Sequence, residues 1–216
     1  MATRLYLPST GAAAVSPAYD AAWDVTTGAD ALACVLVKLS SAMGSQISGS
    51  LTEAGVNDWG LIRQYVSAPL AAQTISGTVK SQARYLRSSG ETIHDAISIR
   101  VCNNAGTSFT GTLLSLGSYK NSDGSASLRN KMFADGDALS SLAVNAGDRL
   151  VIEYGAKRVG GDGTGTINFG DDSGTDLPED ETTTAANNPW IEFSGTLVWA
   201  SAIPVFMRHY RQRRIS

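Results

Sequence analysis

The chain has 216 residues and a mass of 22.6 kDa, with 17 Lys and Arg against 20 Asp and Glu, a formal net charge of −3 and a pI near 5.3. That length fits one compact domain with trimmings at most. With 43% hydrophobic and 17% charged residues, the chain is neither an acidic disordered tail nor a basic wrapper of nucleic acid.

Taken in chain order, the elements are mostly strands. Residues 1–8 run into Ser9-Thr10-Gly11-Ala12 without the apolar core of a secretory signal, so Sec export is not expected. Residues 3–7, 32–38, 61–67 and 110–116 are shorter strand candidates. Residues 73–85 place Ile75, Gly77, Val79, Ala83 and Tyr85 on one parity and polar residues on the other, which predicts a long strand with one dry face. Ile97, Ile99 and Val101 alternate with Ser98 and Arg100; Leu150, Ile152 and Tyr154 alternate with Val151 and Glu153. Both predict half-buried strands. Weak helical spacing marks residues 137–144 and 50–61, giving a turn or two of helix at most. Ile191, Phe193, Leu197 and Trp199 predict a closing strand through residue 199.

Turn clusters at residues 103–106, 121–124 and 160–163 separate these runs. Many short strands with one greasy face argue for an all-β protein, an antiparallel β-sandwich of jelly-roll-like kind. Residues 1–28 read as an extended N-terminal arm, 29–200 as the sandwich and 201–216 as a basic C-terminal arm. The apolar runs 31–37 and 197–207 fall short of the roughly 20 residues a bilayer span requires. Cys34 and Cys102 read as buried free thiols, in keeping with synthesis in a reducing cytoplasm.

Charge is placed unevenly. Between residues 159 and 207 there are eight acidic residues and no Lys or Arg, and then Arg208, Arg211, Arg213 and Arg214 follow. Asp171, Asp172 and Asp176 lie in a loop that reads as solvated and acidic; its oxygen count would suit Ca²⁺, but its spacing is not that of an EF-hand. The sharper reading pairs the arginines with this acidic loop on a neighbouring copy.

Catalytic motifs are lacking: the two histidines, His94 and His209, exclude a His-rich metal site, and no nucleophile elbow, phosphate loop or zinc motif occurs. A glycosidase pair could be drawn from Glu91, Asp95, Glu153 or Glu192, but Asp/Glu pairs occur in any domain. No catalytic residue, metal or cofactor is therefore assigned, and the chain reads as a non-enzyme. Trp59 and Trp190, beside turn residues, stand as candidate glycan contacts, whereas Trp199 reads as core.

Several stretches carry a resemblance: Arg4-Leu5-Tyr6-Leu7-Pro8, Arg63-Gln64-Tyr65-Val66-Ser67-Ala68-Pro69, Gly147-Asp148-Arg149-Leu150-Val151-Ile152-Glu153, Phe169-Gly170-Asp171 and Asn188-Pro189-Trp190-Ile191-Glu192-Phe193. Over residues 3–200 the chain resembles a family of small, mostly uncharacterised virion-associated proteins of tailed bacteriophages and prophages. The resemblance implies a particle component assembled in host cytoplasm and located in the virion. Its partners would be the major capsid or tail protein and further copies of itself, with no direct nucleic acid or membrane contact. Capsid decoration or cementing is the leading expectation. A tail or baseplate adaptor or fibre protein, or a carbohydrate-binding module aiding adsorption, is the alternative.

Overall fold

A computed structural model describes residues 1–26, 31–36, 43–44, 47–51, 58–87, 92–117, 129–132, 136–159, 165–171 and 189–200. Among them thirteen strands form two sheets. They are β1 (Thr3–Tyr6), β2 (Val25–Thr26), β3 (Ala31–Ala33), β4 (Ile47–Leu51), β5 (Trp59–Val66), β6 (Gln73–Arg87), β7 (Thr92–Cys102), β8 (Phe109–Leu114), β9 (Arg129–Met132), β10 (Asp137–Val144), β11 (Arg149–Val159), β12 (Gly165–Phe169) and β13 (Trp190–Phe193). The first sheet runs β1-β13-β6-β12-β4, with β10 and β9 also paired to β6. The second runs β2-β5-β11-β7-β8, with β3 also on β5. Pairing is antiparallel except where β2 and β3 lie parallel to β5. This is an all-β antiparallel sandwich, as the alternation predicted.

The predicted dry faces meet between the sheets. Ile75, Val79, Ala83 and Tyr85 of β6, Ile99 and Val101 of β7, and Leu150, Ile152 and Tyr154 of β11 share one core with Ile191 and Phe193 of β13. Phe169 of β12 sits centrally, its ring 5.8 Å from both Tyr65 and Tyr154. Burying such a face is the main favourable term in folding, about 25 cal/mol per Å² of apolar surface.

Three expectations are corrected. Residues 137–144 form strand β10, not helix. Leu139 pairs with Gly77 and Leu142 with Ile75, so β10 carries one residue more than β6 over that span, a bulge. The bulge keeps Leu139 and Leu142 on the core side at a spacing of three, which imitates a helical repeat. Of the second helical span, residues 50–51 belong to β4 and 59–61 to β5, while 52–57 lie outside the described residues. The closing strand stops at Phe193: the Ser194 N–H donates to the Thr78 carbonyl and its Oγ accepts from the Thr78 N–H, and Trp199 pairs only at an isolated bridge to Leu70.

The third correction concerns exposure. Val151 and Glu153, on the polar parity of β11, are completely buried, and Ser98 and Arg100 of β7 are buried too. The cover is the N-terminal stretch. Expected as an arm, it is extended but tied to the body throughout. β1 pairs with β13, the Pro8 carbonyl accepts from the buried Tyr65 hydroxyl, Ala12 bridges Leu32, and β2 joins β5. Between them, residues 17–24 contact side chains on the outer side of the second sheet. The sandwich therefore begins with β1 rather than at residue 29.

Candidate functional site

Among the described residues, a buried group of polar side chains lies under this N-terminal stretch. β5, β11 and β7 are adjacent, and their register brings Gln64 and Ser98 opposite Glu153. Glu153 is wholly buried, and both of its oxygens are occupied. Oε1 accepts from Arg100 Nη2 at 2.6 Å, Gln64 Nε2 at 3.0 Å and the Asp20 N–H at 3.1 Å; Oε2 accepts from Trp23 Nε1 at 2.8 Å and the same Asp20 N–H at 3.2 Å. A buried carboxylate is tolerated when it is paired and its lone pairs are satisfied in this way.

The surrounding groups complete the arrangement. Arg100 Nη2 also donates to the Ala18 carbonyl at 2.8 Å, and Gln64 Nε2 to the Pro17 carbonyl at 3.2 Å. Asp20 Oδ2 accepts from Ser98 Oγ at 3.1 Å and lies 3.7 Å from Arg100 Nε. Phe109 caps the guanidinium, its ring centroid 3.9 Å away. Beside this network the Trp23 ring packs with Leu61 and Ala96. It lies so close to Gly155 that a β-carbon there would collide with the ring and with the Gly60 carbonyl. Chemically, the group holds the chain's own N-terminal stretch: it offers an acceptor for the Asp20 N–H and the Trp23 indole N–H, and donors for the Pro17 and Ala18 carbonyls.

The other carboxylates weighed for glycoside cleavage are placed apart. Asp95 accepts from the Tyr154 hydroxyl at 2.9 Å inside the sandwich. Burial, and then the Asp95 charge, hold that phenol well above its ordinary pKa. Glu192 sits on the outer side of the first sheet with Arg4 at 2.9 Å and Lys80 at 3.4 Å. Asp148, which is not one of that set, accepts from Thr110 Oγ1 and the Asn145 N–H and closes a turn. Glu91 lies outside the described residues. The structure thus does not bring Glu153 and Glu192 together; they lie on opposite sheets.

Of the candidate glycan contacts, Trp190 is corrected. It is fully buried, because Tyr6, Met43 and Val35 pack around it and the Arg4 guanidinium lies 4.0 Å from its ring centroid. No face is left for a sugar. Trp59 is half-buried, with Lys157 Nζ 4.7 Å from its ring centroid. Asp171 is also corrected: expected in a solvated loop, it is 1% exposed, because its N–H bonds to the Gly44 carbonyl and the preceding Gly170 N–H to Leu7. Asp172, Asp176, Arg208, Arg211, Arg213 and Arg214 lie outside the described residues. Both cysteines are free, and burial raises both thiols, Cys34 to about 12.

Sequence reading missed Glu153 as an anchor, together with Asp20, Gln64, Trp23 and Arg100. The one available signal was composition: Glu153 and Arg100 are the charged residues on the polar parity of otherwise apolar strand runs.

No family model matches the chain, and no curated protein matches it. Among solved structures it is similar to a structure of the Gx strain of infectious bursal disease virus, at 10% identity and a TM-score of 0.32, over 78% of this chain and 44% of that one. It is similar to a structure of the Gt strain of the same virus at 10% identity and a TM-score of 0.28, over 78% and 46%. It is also similar to a CocE/NonD family hydrolase from Staphylococcus aureus at 10% identity and a TM-score of 0.31, over 92% and 35%. The chain spans less than half the length of each of these structures.

Proposed function

We propose that the chain is a structural, non-enzymatic component of a bacteriophage particle that decorates or cements the capsid surface. The observation that carries this reading is the use made of the carboxylates. Glu153, Asp95, Glu192 and Asp148 each hold other parts of the chain in place, over separations of up to 188 residues in the Arg4–Glu192 contact. Side chains of the type that could act on a substrate instead make the body rigid, which suits a module that holds its shape on a particle. The sequence resemblance points the same way.

With the N-terminal stretch committed to the sandwich, attachment falls to residues 201–216 and their arginines. The partner chemistry is an acidic surface, on the shell protein or on a neighbouring copy around Asp172 and Asp176.

The test is to locate a C-terminally tagged chain on purified particles by electron microscopy. Label spread over the head is the expected result; label confined to the tail would replace decoration with an adaptor or fibre role. A second measurement addresses the arm. Deleting residues 208–216 is expected to lower particle occupancy most at low ionic strength, because salt at about 1 M shortens the screening length to roughly 3 Å and already weakens those contacts in the intact chain. Equal occupancy of the two forms at every salt concentration would remove the arginines from attachment.

A further inference from the structure

We draw no further inference here: the strongest candidate, the surface patch on the outer side of the second sheet where the exposed Phe109 ring caps Arg100 and the exposed Tyr19 follows the Ala18 held by that arginine, is an apolar face, and nothing in the structure shows what covers it.

Discussion

Glu153→Ala is expected to be the most damaging single change on the outer side of the second sheet, lowering stability by about 3–5 kcal/mol. The residue is 0% exposed, and removal of its carboxylate leaves Trp23 Nε1 and the Asp20 N–H without their acceptor and leaves Arg100 Nη2 and Gln64 Nε2 with only the Ala18 and Pro17 carbonyls. Most of that cost comes from the desolvated indole and backbone N–H left without a partner and from a buried guanidinium that loses its closest counter-charge and keeps only the Ala18 carbonyl and the more distant Asp20. Against a total stability of roughly 5–15 kcal/mol, the loss is a large fraction. In a chain of this length it lowers the melting temperature by roughly 6–20 °C. The double change Glu153→Leu/Arg100→Met is expected to recover part of it, because replacing both partners of a buried pair with apolar groups removes the bare charge. Calorimetric melting of the three proteins checks this. A Glu153→Ala protein that melts with the parent would mean that the network contributes nothing to the fold.

Phe193→Ala is expected to cost about 3–5 kcal/mol by a different route, the loss of buried apolar surface together with a cavity. Phe193 is 1% exposed, within the main core, and β13 is held between β1 and β6, so the site cannot close by moving one edge. Urea unfolding is the suitable measurement, with an unchanged dependence on denaturant and a lowered midpoint. Val198→Ala, at a residue 52% exposed near the same end of the chain, is expected to stay within about 0.5 kcal/mol of the parent. Equal effects at the two positions would contradict the assignment of Phe193 to the core.

Much of the fold was legible in the residues. Ile75, Val79, Ala83 and Tyr85 share a face because a strand repeats every two residues, and that repeat survives whatever the strand packs against. The misreadings have local causes. A bulge at residues 139–142 turned a period of two into a spacing of three. The short strand Ile47-Ser48-Gly49-Ser50-Leu51 has too few apolar residues to announce itself, and it pairs along β12 through backbone groups that any residue supplies. Trp190 was misplaced because it follows Pro189 and so resembles a turn residue, whereas Tyr6 and Met43, remote in sequence, enclose it.

What the sequence determined by itself is the sandwich and its core, since alternation within one strand records which side avoids water. Only the tertiary structure decided what happens on the other side of those strands. Glu153, Arg100, Ser98 and Gln64 carry the ordinary signature of a solvent-facing parity, yet all are buried. A polar face under a peptide and a polar face under water select the same side chains, because both must satisfy hydrogen bonds. The difference is made by residues 17–24 returning across a sheet whose central strand lies some 130 positions further along the chain, and no local pattern records that contact.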